Sequence, residues 1–378
     1  MIPHQTIQHE LEELRRKDNH RRLVSRDEID FSSNDYLGLS DHPAIRAALI
    51  DALGRGVPLG STGSRLLRGN HRLHERVEAR LAEFRRVPAA LVFNSGFEAN
   101  VGVISTLCKQ GGLILSDEKN HASIIDGVRA SGVARRVFPH NDADAVEDAL
   151  KAHKGPLPAT IVTESVFSME GDRAPLADLV ALAERYGAAL IVDEAHATGL
   201  YGPTGAGLLE EVDAGDVPLV SIHTCGKALG AFGAFVAGSA AVKEYLVNTC
   251  RSFIFTTALP PYLMVQWEAA LDVVAAEPWR RARVTALADR LRAGLAGLAD
   301  CGASSTQIVP VILGENAPTL AASQALQTRG FDVRAIRHPT VPAGSARLRV
   351  AVNATHDEAT IDALLAALRD LLPGSAAP

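Results

Sequence analysis

From residue 71 to residue 193, short apolar runs alternate with stretches of helical periodicity. This alternation constrains the fold more than any other feature of the chain. Residues 71–85 read as a helix, and A-A-L-V-F (89–93) reads as a strand. The pattern repeats as helix 97–109 with strand 112–116, helix 121–131 with strand 133–138, helix 142–152 with strand 159–164, and helix 175–186 with strand 188–193. Further strands fit 218–223 and 233–237. Strands joined through helices run parallel and need cover on both faces, so the expected class is α/β with a mainly parallel seven-stranded sheet.

Outside this block the pattern changes. Residues 7–17 read as an amphipathic helix with Ile7, Leu11 and Leu14 on one face. F-S-S-N-D-Y-L-G-L-S (31–40) reads as a polar turn before a helix whose start is marked by Asp41 and Pro43. After Pro260 and Pro261, helical patterns run to about residue 299. Strands at 308–313, 332–336 and 346–352 follow, with a last helix at 357–371. The expected organisation is an N-terminal segment (1–40) packing on a small C-terminal α+β domain (286–378), with a large domain (41–285) between them in sequence. The tail G-S-A-A-P is expected to fray.

Composition excludes several partners. The 378 residues are 47% hydrophobic and 22% charged with a formal net charge of −6, and no long basic stripe occurs. Nucleic acid and anionic membranes are therefore not expected as partners. The arginine pairs at 15–16, 21–22, 85–86 and 135–136 are scattered and read mostly as solvated helix faces. No apolar run approaches the roughly 18 residues of a membrane span. The four cysteines, Cys108, Cys225, Cys250 and Cys301, lack metal-ligand spacing and read as reduced thiols. With no signal-peptide core at the N-terminus, the expected location is the cytoplasm.

The chemistry gathers where strands end. S-I-H-T-C-G-K-A-L-G (221–230) places Lys227 just after a strand, and A-L-I-V-D-E-A-H ends a strand in Asp193 with His196 three residues on. Each has an ordinary reading: a lone lysine is most often a solvated cation, and an acid at a strand end most often a helix cap. Together they match what pyridoxal phosphate requires, a lysine for its aldehyde and an acid to keep its ring nitrogen protonated. N-S-G-F-E-A-N (94–100) opens a helix after a strand, so Ser95, Gly96 and Phe97 offer free amides to a phosphate. Thr224 can bond the same group. K-N-H-A-S-I-I-D (119–126) sets His121 and Ser123 after another strand, either to lie over a ring or as a surface histidine beside a cap at Asn120. Ser168 follows the next strand and is a candidate donor to a ring hydroxyl. A metal site built from His121, His140, Asp193 and His196 lacks H-x-x-x-H and H-E-x-x-H spacing, so no metal is expected; H-N-D-A-D (140–144) reads as a loop and helix cap. No nucleotide-loop signature is present.

These motifs, with G-S-T-G-S-R-L, F-I-F-T-T-A-L-P-P and R-H-P-T-V-P-A-G-S-A-R-L-R, resemble the α-oxoamine synthases, fold-type I pyridoxal-phosphate enzymes, over nearly the whole chain. The last of them is closest to the biotin-pathway branch. The resemblance implies that Lys227 carries the cofactor and acts as acid and base, Asp193 pairs with the ring nitrogen and His121 stacks on the ring. It places Ser168 and His196 on the ring's hydroxyl side, and Gly96, Phe97 and Thr224 on the phosphate. Arg349 is expected to clamp the amino-acid carboxylate and Thr340 to touch substrate. An N-terminal arginine joins them: Arg21, with Arg15 or Arg22 as alternatives. The implied reaction condenses L-alanine with a pimeloyl thioester, carried by coenzyme A or a carrier protein, in a homodimer with a shared active site. Thr256 and Thr257 are expected to reach the neighbour's phosphate. Condensation of glycine with acetyl-CoA is the alternative on the same scaffold. A cofactor-binding regulator without turnover is the reading from another class, and the joint presence of Lys227, Asp193 and Arg349 argues against it. Two departures stand out. R-L-L-R-G-N-H (65–71) is more basic than usual, and Ala197 replaces the commoner glycine of D-E-A-H-G.

Overall fold

The computed structural model describes residues 2–25 and 27–372. The chain divides into two compact units. One comprises Asn34–Ser168 and Arg173–Ala282; the other draws on the described parts of residues 1–33, 169–172 and 283–378. The tail expected to fray lies outside the described residues.

The larger unit contains seven strands: β1 (Ala89–Phe93), β2 (Leu113–Asp117), β3 (Ala134–Phe138), β4 (Ala159–Glu164), β5 (Ala189–Asp193), β6 (Leu219–Thr224) and β7 (Ala234–Gly238). They form one sheet in the order β1-β7-β6-β5-β4-β2-β3. Only β7 runs against its neighbours. In β1 and β7 every residue is buried, and because successive side chains alternate faces, both faces are covered. β3 is one of the two edge strands and is exposed at every position but Phe138. The apolar side of this unit is assembled from Leu91, Val103, Ile104, Ile114, Ile191 and Val236.

Three details differ from the sequence reading. Segment 31–40 is more than a polar turn, since Phe31, Tyr36, Leu37 and Leu39 are all buried. Arg85 is not solvated: it is buried and donates to the Ala206 carbonyl at 2.8 Å. A helix at Ala240–Thr249, capped by Ser239, follows β7 without an apolar stripe to announce it; of its residues only Leu246 is buried.

The smaller unit has an antiparallel sheet of β8 (Ile308–Gly314), β9 (Arg334–Ile336) and β10 (Ala346–Ala351), in the order β9-β10-β8. Ile29–Asp30 pairs in parallel with Phe331–Asp332. Leu291, Val309, Val311, Leu348, Val350, Ile361 and Leu364 form its core, with Phe31 among them. The helix Asn316–Thr328 was not legible in the sequence; its buried positions are Thr319, Ser323 and Leu326. Among the described residues no helix is long and apolar enough to cross a membrane.

Candidate active site

Parallel strands deliver their C-terminal ends to one edge of a sheet, and the candidate groups of the larger unit all follow such ends. Asp193 closes β5 and is buried. Its Oδ2 accepts a hydrogen bond from Asn100 Nδ2 at 2.6 Å, and its Oδ1 accepts from the Ala195 amide at 2.8 Å. His196 follows in a buried turn.

Lys227 sits in the tight connection from β6 to β7. Cys225 N–H donates to the Gly233 carbonyl at 2.9 Å, and Ala231 N–H donates back to the Cys225 carbonyl at 2.8 Å. Gly230 closes the loop with φ of 60°, and a Cβ there would strike the backbone of Leu39 and Ser40, so glycine is required. The loop holds Lys227 Nζ 2.8 Å from His196 Nε2. Cys225 is fully buried and burial pushes its thiol well up, which suits packing and not nucleophilic attack.

His121 caps the helix Ala122–Ser131 itself, with Nδ1 accepting the Ser123 amide at 3.2 Å and lying 2.8 Å from Ser123 Oγ. Asn120, the cap in the alternative reading, instead donates to Ser116 Oγ and the Val162 carbonyl. His121 is exposed as a residue, yet desolvation by the protein around its ring pulls its pKa below the ordinary histidine value; Asp193 opposes this and Lys227 reinforces it. His121, Asp193 and Lys227 thus lie within electrostatic reach of one another.

At the start of the helix Gly96–Leu107, Ser95 Oγ accepts the Glu98 amide at 3.2 Å. The Gly96 and Phe97 amides remain outside the helix's own bonding. A Cβ at Gly96 would run into the Thr224 side chain, so the absence of a side chain there brings the end of β6 against this helix start. Ser168 is buried in the loop after β4. Asn94 donates to Thr256 Oγ1 at 2.8 Å and to the Thr257 carbonyl at 2.9 Å.

Pyridoxal phosphate, which the motifs imply, can be tested against these groups. First-turn amides with Thr224 offer phosphate donors, a buried carboxylate faces a sheet edge, and a half-buried lysine stands among them. Asn100, which holds that carboxylate, keeps a buried Oδ1 without a hydrogen-bond partner. The residues present fit the group.

Sequence reasoning missed Asn100 and the role of Tyr36. Asn100 is a buried polar residue one turn after Gly96, among Ala99, Val103 and Ile104, and that break in an apolar face was the available signal. Tyr36 Oη lies 2.7 Å from His196 Nδ1. His140, considered as a metal ligand, bonds Asp117 Oδ1 at 3.0 Å and stands edge-on to Phe167. Asp142 caps the helix Ala143–Ala152 by accepting the Ala145 amide.

In the smaller unit, Arg21 donates to Thr340 Oγ1 at 3.0 Å, so these two candidates meet. They line a cavity of about 500 Å³ together with Arg22, Arg334 and Arg337. Burial, followed by the like charge of Arg21, lowers the Arg337 pKa, with Asp18 opposing. Arg349 is buried in β10, paired in register with Arg334. Arg15 belongs to the helix His4–Arg16.

The family described as aminotransferase class I and II matches residues 26–368. An 8-amino-7-oxononanoate synthase of Gluconacetobacter diazotrophicus is 51% identical over 353 residues, covering 90% of this chain and 87% of that protein. The enzyme of the same name from Geobacter sulfurreducens is 47% identical, covering 89% and 86%. Among solved structures, a serine palmitoyltransferase of S. paucimobilis with bound PLP aligns with a TM-score of 0.87 at 29% identity, covering 97% and 96%. The 8-amino-7-oxononanoate synthase of Francisella tularensis aligns with a TM-score of 0.78 at 28% identity, covering 91% and 98%.

Proposed function

The chain belongs to the aminotransferase class I and II family, and from that premise we propose that it condenses L-alanine with a pimeloyl thioester, using pyridoxal 5′-phosphate. The products are 8-amino-7-oxononanoate, carbon dioxide and the free thiol, which is a step of biotin synthesis. A carbon–carbon bond forms between the alanine Cα and the thioester carbonyl, the C–S bond breaks, and the amino-acid carboxylate leaves as CO2. The observation that carries this reading is the contact of Lys227 with His196 beside a buried, doubly hydrogen-bonded Asp193, in a chain 51% identical to a synthase of that name.

Lys227 would hold the cofactor through its aldehyde, Asp193 through the ring nitrogen and His121 against the ring face. Ser168 and His196 would take the hydroxyl side, and the Gly96 and Phe97 amides with Thr224 the phosphate. When bound, the group supplies an electron sink for the pair left as the α-proton departs. The remaining work falls to the chain itself. Lys227 removes and returns the α-proton, and His196 fixes the position of its Nζ. Arg349 offers a planar two-point grip to the amino-acid carboxylate, orienting the bond to be broken. Arg21 and Thr340 bind the acyl donor. The like charges of Arg21 and Arg337 on one cavity support a donor whose far end is a carboxylate.

The natural assembly in this reading is a homodimer with a shared active site. Leu66, Leu67 and Phe255, large apolar side chains left exposed on the larger unit, support it. Reduced cysteines and a soluble thioester substrate support a cytoplasmic enzyme.

The test is direct. Purified chain with added cofactor is given L-alanine with pimeloyl-CoA or a pimeloyl carrier protein, and in parallel glycine with acetyl-CoA. Mass spectrometry should find 8-amino-7-oxononanoate from the first pair. If glycine with acetyl-CoA is turned over more efficiently, the biotin-pathway reading fails and the glycine reaction replaces it.

A further inference from the structure

Tyr36 is fully buried, and its hydroxyl meets two groups. It donates to Asn34 Oδ1 at 2.9 Å and lies 2.7 Å from His196 Nδ1. The other nitrogen of that ring, Nε2, is 2.8 Å from Lys227 Nζ. Four side chains from three separate segments thus form a single line.

The direction of the line follows from counting hydrogens. A phenol has one hydrogen, and a side-chain amide oxygen has none. The bond to Asn34 therefore uses the Tyr36 hydrogen, and toward His196 the Tyr36 oxygen can only accept. Nδ1 must then carry the imidazole's proton. A neutral imidazole has one N–H, so Nε2 is a bare lone pair aimed at Lys227. Every donor points the same way, from Lys227 to His196 to Tyr36 to Asn34.

The opposite direction would have a chemical cost. An Nε2–H would donate to the lone pair of the Lys227 amine, the same electron pair that has to take a proton from substrate. In the direction argued above, Nζ gives one of its own hydrogens to Nε2, and that contact does not occupy its lone pair.

We infer that Asn34 and Tyr36 set the tautomer of His196, and that Tyr36 is thereby a positioning residue for proton transfer by Lys227. The role of Lys227 rests on the proposed function; the tautomer does not.

The test uses the full chain labelled with 15N-histidine, with and without pyridoxal phosphate, and assigns the His196 signals by their loss in His196→Gln. Wild type should show a protonated Nδ1 and a bare Nε2. Asn34→Leu removes the acceptor that fixes the Tyr36 hydrogen, so the two nitrogens should exchange character. Asn34→Asp keeps an acceptor and should keep the wild-type pattern. Tyr36→Phe should populate both tautomers and slow exchange of the L-alanine α-proton about tenfold at unchanged KM, equivalent to about 1.4 kcal/mol in the barrier. Asn34→Leu should slow it similarly, and Asn34→Asp should not. A protonated Nδ1 that survives Asn34→Leu overturns the inference. So does a Tyr36→Phe enzyme that loses thermal stability but exchanges the α-proton at the wild-type rate. If the tautomer pattern appears but no 8-amino-7-oxononanoate is ever formed, the assignment of the line holds and the proposed reaction falls.

Discussion

Replacing Asp193 with asparagine separates its electrostatic role from its structural one, because it removes the charge while part of the hydrogen bonding survives. Asp193 accepts two hydrogen bonds, from Asn100 Nδ2 and from the Ala195 amide. In Asp193→Asn the new Oδ1 can keep the Ala195 bond, while the new amide group would face another amide donor. Asn100 can accept that donor only by turning its own amide over, which gives up its 3.0 Å bond to Ser123 Oγ and moves its Nδ2 to the buried position where Oδ1 now has no partner. Stability of the cofactor-free chain should therefore fall by about 1–3 kcal/mol, the cost of one unsatisfied buried donor. Asp193→Leu strands both donors in a buried site and should lose about 2–6 kcal/mol, at 1–3 kcal/mol for each. Function should fall steeply with either substitution. Asparagine cannot hold a proton on the ring nitrogen by charge, and loss of such a pair is worth a few kcal/mol, or roughly two to three decades in rate. Denaturant unfolding of both variants gives the first comparison, and NMR of α-deuterium exchange in L-alanine gives the second. An Asn variant that exchanges the α-proton within about threefold of wild type would show that a group other than Asp193 protonates the ring. The reasoning would then be refuted.

Borohydride reduction with added pyridoxal phosphate should fix the label on Lys227 alone, and Lys227→Ala should bind cofactor yet lose α-proton exchange; label on another lysine, mapped by peptide mass spectrometry, defeats the assignment. Arg21→Ala should lower kcat/KM for a pimeloyl thioester at least about tenfold more than for an uncharged acyl thioester of equal length; equal losses would remove the distal carboxylate from this site. The pH dependence of stability carries a definite sign. His74, His223 and His356 are held below the ordinary histidine value chiefly by burial, so as pH falls through about 6.5 the unfolded chain takes up protons first and stability declines. Glu194, pushed up by burial, acts in the opposite sense. The informative measurement is therefore urea unfolding of wild type against His223→Gln at about pH 7.5 and pH 5.5: the variant should lose less on acidification, and an identical loss would exclude His223 as a source.

The fold was legible because its signal is local and repeated. Each strand of the larger sheet announces itself over five or six residues, and even the exposed edge strand β3 is marked by V-A-R-R-V-F between two helical stretches. The helices Ala240–Thr249 and Asn316–Thr328 escaped because few of their side chains are buried, so no apolar period is written into them. Candidate groups at strand ends could be read for the same local reason. Asn100 was marked only by a break in an apolar helix face and Tyr36 by nothing local, since what they do depends on partners 93 and 160 residues away. A sequence records that a residue is polar; it does not record that the residue sits buried against a carboxylate or an imidazole.

The juxtaposition of the central groups follows from register. Paired residues on neighbouring strands point to the same face, and the face alternates along each strand. Asp193 pairs with Ile222 on one side and Glu164 on the other. Thr224, two residues beyond Ile222, therefore shares the face of Asp193. His223 points the opposite way, where it stacks on its strand partner Phe235 at 4.4 Å and bonds Thr198 Oγ1 at 2.7 Å. One strand end thus serves two purposes: Thr224 toward the cofactor groups, and His223 toward the turn that carries His196. A slip of one residue between β5 and β6 would exchange them, sending an imidazole to the phosphate side and a hydroxyl into the apolar layer. The buried apolar run A-L-I-V-D fixes that register, because each of its side chains from Leu190 to Asp193 is buried and none can turn to solvent without cost. The placement of Asp193 beside Thr224 is in this sense a consequence of core packing, and only the loop from Cys225 to Gly233 is needed to bring Lys227 to the same edge.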